Sequence, residues 1–182
     1  MPDFHHLTHD YKLWRLNVRL AAGIRKPFSK QVGDFSIASG KSSDLKAVLY
    51  LHQELFHAPL LGWLKWVYRL RASELMTVLR NGQGQIIGYS LCMFNVAEVG
   101  QHIVHEVYVG IAPAYQGQGL ATLLRRAVVE SYNHGSLRAI STLAPLDDVK
   151  ALRSAQKVGY AIVKYAAKPP AYYLLHALSK RA

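Results

Sequence analysis

Val107-Tyr108-Val109-Gly110-Ile111-Ala112-Pro113-Ala114-Tyr115-Gln116-Gly117-Gln118-Gly119-Leu120-Ala121 is the stretch that decides the fold of this chain. It opens as the end of a run rich in Val and Ile, His102 to Ile111, which reads as a strand. It closes on an amphipathic helix: Leu120, Leu123, Leu124, Ala127 and Val128 recur at i, i+3, i+4, i+7 and i+8, with Arg125, Arg126 and Glu130 expected to face away. The first turn of a helix leaves N–H groups without partners and carries partial positive charge, so a phosphate is stabilised there. Gly117, Gly119 and Ala121 would let such a group come close to the main chain. A glycine-rich turn that merely connects strand to helix is the plain alternative, since short glycine patterns are common. Two other phosphate motifs are excluded. A nucleoside-triphosphate loop ends in Gly-Lys-Ser/Thr, which is absent here, and the dinucleotide fingerprint lies near the first strand of a parallel unit.

Working outward, Phe35-Ser36-Ile37-Ala38 alternates as a short strand, and Ser43-Asp44 opens a helix with Leu45, Val48, Leu49 and Leu55 on its apolar side. A second helix is expected around residues 60–71. Glu74 to Leu79 and Gln85 to Phe94 read as strands joined by Asn81-Gly82-Gln83-Gly84, whose residues tolerate the positive φ of a tight hairpin. After the central helix, which Asn133-His134-Gly135 suits to end, come a strand over Leu137–Leu143 and a helix from Asp147 or Asp148 to Gly159. Tyr160–Tyr165 and Tyr172–Leu178 close the chain as strands. The order predicts an α/β protein with a mixed sheet of about six to seven strands and helices on both faces. Residues 1–32 read as a basic extension of a domain over 33–182. Within that extension Trp14, Leu16, Val18 and Leu20 alternate with Arg15, Asn17 and Arg19, which favours a strand over the competing helical stripe of Leu13, Leu16 and Leu20.

The quoted stretch resembles the central motif of the GNAT superfamily of acetyl-CoA-dependent N-acetyltransferases, which runs Gln or Arg, two residues, Gly, one residue, Gly or Ala. A second match lies downstream, where Ala151-Leu152-Arg153-Ser154-Ala155-Gln156-Lys157-Val158-Gly159-Tyr160 is similar to the family's late helix. The resemblance covers roughly residues 34–177. It implies a splayed sheet, with acetyl-CoA as cofactor and its pantetheine arm paired to main chain near Val109 and Ile111. It also implies a pyrophosphate loop made by Gln116, Gly117, Gln118, Gly119, Leu120, Ala121 and Thr122. The implied activity is acyl transfer to a primary amine by direct attack, assisted by a base.

Several members of that family carry the base on this strand, eleven residues before the loop motif, which is His105 here. A histidine's ordinary pKa of about 6.5 suits proton pick-up near neutrality. Glu106 is the alternative candidate, although strict alternation puts it with Val104 and Tyr108, on the face opposite His105, Val107 and Val109, unless a bulge shifts the register. Either residue has a structural explanation as well: a hydrogen-bonded core histidine, or a paired carboxylate. The sequence departs from the family at Ala155, where many relatives carry the tyrosine that protonates the leaving thiolate, and Asp148 stands for an asparagine. A noncatalytic, CoA-binding regulatory module is therefore a second reading.

A net charge of +11 over 182 residues attracts phosphates of any origin. Residues 11–30 carry Lys12, Arg15, Arg19, Arg25, Lys26 and Lys30 with no acid, so a polyanion or membrane-surface binder working through that segment is a third reading. Lys164, Lys168, Lys180 and Arg181 repeat the pattern near the end. Expected partners are a small-molecule or peptide amine acceptor and, as an open option, a second copy of the chain, with no clear nucleic-acid signature. Acceptor selection falls, on the resemblance, to residues 43–71 and 160–178, which hold few acids; a neutral amine, an amino-acid derivative or an acceptor with its own negative charge fits best. The single Cys92 excludes an internal disulfide and a cysteine zinc site. No apolar run reaches the ~18–20 residues of a membrane span, and the first residues lack signal-peptide order, so a cytoplasmic location is expected. The histidines form no metal-ligand spacing, and no metal is expected.

Overall fold

The structure, a computed structural model, describes residues 4–133 and 135–179; His134, Lys180 and Arg181 lie outside the described residues, as do the side chains of His5 and His6. The strands are β1 (Ser29–Val32), β2 (Phe35–Ser39), β3 (Met76–Arg80), β4 (Ile86–Met93), β5 (Ile103–Ile111), β6 (Ala139–Pro145), β7 (Ala161–Ala167) and β8 (Pro170–Ala177). They form one sheet of eight strands in the order β1-β2-β3-β4-β5-β6-β8-β7. Every neighbouring pair is antiparallel except β5 with β6. This is the expected mixed α/β architecture with one more strand. β1 is a polar edge strand, Ser-Lys-Gln-Val, with no apolar alternation to announce it.

The helices are α1 (Phe4–Leu20), α2 (Leu45–Phe56), α3 (Gly62–Leu75), α4 (Val96–Val99), α5 (Leu120–Tyr132) and α6 (Val149–Gln156). Strand alternation sends neighbouring side chains to opposite layers. In β4 the Tyr89 hydroxyl meets His52 Nδ1 of α2 at 2.8 Å, whereas Ser90 donates to Glu106, which faces α5. The α5 stripe packs as its periodicity requires, with Leu120, Leu124, Ala127 and Val128 buried. Arg125 does not face away. It is 4% exposed, with a Glu106 oxygen 3.2 Å from its Nη1, because it flanks the stripe on the sheet side.

The opening segment is a helix and not the strand that its alternation suggested. Asn17, which a strand would turn outward, is fully buried; its side chain donates to the Phe94 carbonyl at 2.9 Å and accepts from the Phe94 N–H at 2.7 Å. A polar residue at the centre of the buried face hid the helical period. Trp14, Leu16, Val18 and Leu20 are all partly buried against the main core, and Arg71 donates to the Val18 carbonyl at 2.9 Å. Asn17→Ala would leave two buried main-chain groups without partners, at about 1–3 kcal/mol each. A loss of about 2 kcal/mol or more in whole-chain stability is expected in urea denaturation, and a change confined to α1, with the sheet melting as before, would contradict it.

Arg25, counted above among the cations of residues 11–30, is also inside. Its guanidinium donates to the carbonyls of Ser73 (2.9 Å) and Met76 (2.7 Å) and to the hydroxyls of Thr77 and Ser131 (3.0 Å each), and it lies 4.9 Å from the Tyr132 ring centroid. With its donors spent on the core, Arg25 is removed from any surface basic patch.

Candidate active site

The loop before α5 is held open by its own backbone. Gly117 and Gly119 both sit at φ 77°, a left-handed conformation that side-chain-bearing residues rarely adopt. No heavy atom lies within 4 Å of where a Cβ on either would stand, so the space above the main chain is free. Gly119 is the N-cap of α5 and has no side chain to satisfy the first turn. The N–H groups of Gly117, Gln118, Gly119, Leu120, Ala121 and Thr122 find no main-chain partner in the loop, and the first helical bond begins with Leu123 donating to Gly119 at 3.1 Å. The loop is anchored from outside: Gln116 Nε2 donates to the Ile111 carbonyl (2.9 Å), and Asn81 Nδ2 donates to the Tyr115 hydroxyl (3.1 Å). The cradle that remains, unpartnered N–H donors at a helix N-terminus with open space above both glycines, could hold a pyrophosphate.

β5 leads from this loop into the sheet, and there its two neighbours behave differently. β4 pairs with β5 along its length, but β6 pairs only from Ile103–Ala139 to Glu106–Thr142. At the last rung the Thr142 hydroxyl donates to the Glu106 carbonyl at 3.0 Å. Beyond it the strands part, leaving the edge of Val107 to Ile111 without a strand partner. The Val109 and Ile111 main chain singled out above borders this gap.

A bulge re-aims the side chains at the parting. Leu91 pairs with Tyr108 but Cys92 with Glu106, so Val107 is the extra residue. Tyr108 and Glu106, which strict alternation put on one face, consequently point to opposite faces. The Tyr108 ring meets His52 (4.6 Å) and Phe56 (5.2 Å) of α2, and Glu106 lies under α5. Glu106 is 1% exposed and accepts from Ser90 Oγ at 2.9 Å, with Arg125 at ion-pair distance from its second oxygen but not aligned for a hydrogen bond.

His105 faces the other way, into a cleft of about 380 Å³ lined also by Glu98, Leu143, Lys164, Tyr173 and Leu175. Its Nδ1 is 2.7 Å from Ser141 Oγ and 3.5 Å from Glu98 Oε2, while Nε2 has no hydrogen bond among the described residues. Glu98 is anchored by its own turn: Asn95 caps α4 by accepting from the Glu98 N–H at 3.0 Å and donates its amide to Glu98 Oε2. The Tyr173 hydroxyl donates to Glu98 Oε1 at 2.5 Å. Burial opposes ionisation of Glu98, but hydrogen bonds from His105, Ser141 and Tyr173 outweigh it and hold the carboxyl down at about 2. Burial, with the adjacent Glu98 charge, pushes the Tyr173 phenol up to about 12.

Glu98 and Ser141 escaped the sequence reading, because strands β6 and β8 and the short helix α4 meet only in three dimensions. The one local signal was Asn95-x-x-Glu98, a capping pattern. Of the two segments assigned to acceptor selection, 160–178 supplies the cleft through Val163, Lys164, Tyr173 and Leu175, while none of 43–71 lines it. Ala155 is fully buried on α6, which Asp148 caps by accepting from the Ala151 N–H at 2.8 Å. Tyr160 is also buried, with no partner for its hydroxyl among the described residues. Among the described residues no three His, Cys, Asp or Glu side chains are placed to hold a metal, and no helix is long and apolar enough to cross a membrane.

A mixed sheet that parts beside a glycine-rich helix N-terminus defines the class of α/β proteins able to seat a long phosphorylated cofactor between two strands. Over residues 44–160 the sequence matches the model of the acetyltransferase (GNAT) family, and the chain belongs to that family. It is 35% identical over 78 residues to the mycothiol acetyltransferase of Renibacterium salmoninarum, a match spanning 42% of this chain and 23% of that protein's length. Among solved structures it resembles a putative acetyltransferase from Salmonella typhimurium determined with its cofactor acetyl-CoA (TM-score 0.67, 14% identity, covering 82% of this chain and 97% of the other). It also resembles Arabidopsis thaliana Naa50 in complex with the bisubstrate analogue CoA-Ac-MVNAL (TM-score 0.65, 16% identity, 79% and 98% covered). At these identities the likeness is one of fold.

Proposed function

We propose that this protein transfers the acetyl group of acetyl-CoA to a primary amine, with His105 as the base. The observation that carries the reading is the continuity of three features: the open Gly117–Gly119 cradle, the unpaired edge of β5, and His105 in the cleft beside the point where the strands part. When bound, acetyl-CoA supplies a thioester whose carbonyl carbon an amine nitrogen can attack with loss of the thiol. The N–H groups of 117–122 bind the pyrophosphate, and the free edge of Val107–Ile111 aligns the arm as a neighbouring strand would. His105 Nε2 takes the proton that the ammonium must lose before its nitrogen can attack. Glu106 is the weaker candidate because its carboxylate is enclosed between Ser90 and Arg125. Ala155 has no proton to give, so a departing thiolate would take its proton from water or from another tyrosine.

The acceptor, a small molecule or a peptide, is not polycationic. Among the described residues Glu98 is the one carboxylate in the cleft and is already engaged by His105, Tyr173 and Asn95, while Lys164 Nζ stands 4.8 Å from the Tyr173 ring centroid with no carboxylate paired to it. A panel of primary amines, scored by release of free CoA thiol and by mass of the product, tests the reading. Amino-acid derivatives and anionic amines are expected to outperform spermidine. Tight acetyl-CoA binding without acetylation of any amine would instead favour a noncatalytic CoA-binding module.

A further inference from the structure

Two side chains from two elements reach the same nitrogen of the His105 ring, and a third braces one of them. Ser141 of β6 lies 2.7 Å from Nδ1, Glu98 of α4 lies 3.5 Å from it, and Tyr173 of β8 fixes Glu98 from behind at 2.5 Å. The ring is 13% exposed and the Glu98 side chain 8%, so the contact is made in a weakly screened setting. A neutral imidazole carries one N–H, and the site decides which nitrogen has it. If Nδ1 were bare, the Ser141 proton would be drawn to it, and the Glu98 oxygen beside it would face a lone pair. If Nδ1 bears the hydrogen, it donates toward Ser141 and Glu98, and the serine hydroxyl is free to donate to the carboxylate. The second arrangement sets a hydrogen, and not a lone pair, opposite the buried carboxylate.

We propose that Glu98, assisted by Ser141, is a positioning residue that holds His105 as the Nδ1–H tautomer, leaves Nε2 bare toward the cleft, and stands as the counter-charge when Nε2 accepts a proton. This deepens the assignment of His105 as base and rests on it for its catalytic meaning, while the tautomer itself is independent of it. Each atom has one task. The proton leaves the acceptor's ammonium for Nε2, Nδ1 keeps its hydrogen, and the resulting imidazolium faces the Glu98 carboxylate. The other charged or titratable groups around the ring are Lys164 of β7, across the same cleft, and Tyr173 of β8. Glu106, Arg125 and Tyr160 lie beneath the opposite face of the sheet. Tyr173 donates to Glu98, so among the described residues the carboxylate is the only anion presented to the ring.

Nitrogen-15 NMR of the wild-type ring, at a pH where it is neutral, reads the tautomer without an acceptor substrate. Hydrogen on Nδ1 is the expected result, and hydrogen on Nε2 overturns the proposal whatever the kinetics show. Glu98→Ala should move the hydrogen off Nδ1 and lower kcat at least about tenfold, part of the ~10²–10⁴-fold that a positioned base supplies. Glu98→Gln keeps an acceptor and loses the charge, so it should preserve the tautomer yet move the acid limb of the kcat profile to lower pH. Unchanged acetyl-CoA affinity in both variants shows that they are folded. A tautomer and profile indifferent to both substitutions would reduce Glu98 to a structural carboxylate. Full activity of a His105 variant would instead remove the base assignment and leave the tautomer result standing.

Discussion

His105→Ala should lower kcat by about 10²–10⁴-fold while leaving acetyl-CoA affinity within a few-fold. The split is expected because the residue borders the cleft at the closed end of the gap between β5 and β6, whereas the pyrophosphate loop lies at the far end of the same strand. An interaction used only when the proton moves affects kcat and spares binding. The acid limb of the pH profile should disappear with the ring, because its two closest titratable neighbours are displaced far from neutrality: Glu98 is held at about 2 and Tyr173 at about 12. The measurement is steady-state kinetics across pH on an amine found by screening, with acetyl-CoA binding followed by calorimetry. Retention of full kcat with an unaltered profile would make His105 a hydrogen-bonded structural histidine and return attention to Glu106 or water.

Gly119→Glu should abolish acetyl-CoA binding outright. Two effects coincide at this position. The backbone stands at φ 77°, where a glutamate is strained by roughly 1–2 kcal/mol, and its carboxylate would enter the space that lies open above the loop. A loss exceeding about 100-fold in Kd is expected, with the ligand-induced rise in melting temperature gone as well. Gly119→Ala separates the two contributions, because it keeps the backbone strain without adding an anion. If Gly119→Glu binds acetyl-CoA as the wild type does, the phosphate site lies elsewhere.

What could be read from the residues in advance was local. The glycines at 117 and 119, the leucine period of α5 and a helix start at Asp147 or Asp148 each announce themselves within a few positions, and the structure has the first two where they were expected and puts the cap at Asp148. Errors arose where a polar side chain is buried. Asn17 turned a helix into an apparent strand, Arg25 swelled a basic patch that it does not join, and Arg125 appeared solvent-facing while it lies against Glu106. In each case the partners are far away in sequence, and no periodicity can anticipate them. The Val107 bulge is a similar case: one unpaired residue reassigns Tyr108 to the α2 face, and nothing in Val-Tyr-Val marks it. The surroundings of His105 were the least legible part, being assembled from α4, β6 and β8 around a histidine that the motif spacing did single out.

The parting of β5 from β6 has a thermodynamic side. Only four paired positions join the five-stranded leaf β1–β5 to the three-stranded leaf β6, β8 and β7. Subglobal opening, as amide exchange reports it, should therefore run along this seam before either leaf melts. A molecule lying in the gap and bonded to both edges would act as a missing rung. By mass action, the cost of opening along the seam should then rise with the logarithm of that molecule's concentration relative to its Kd, while opening within either leaf is raised less.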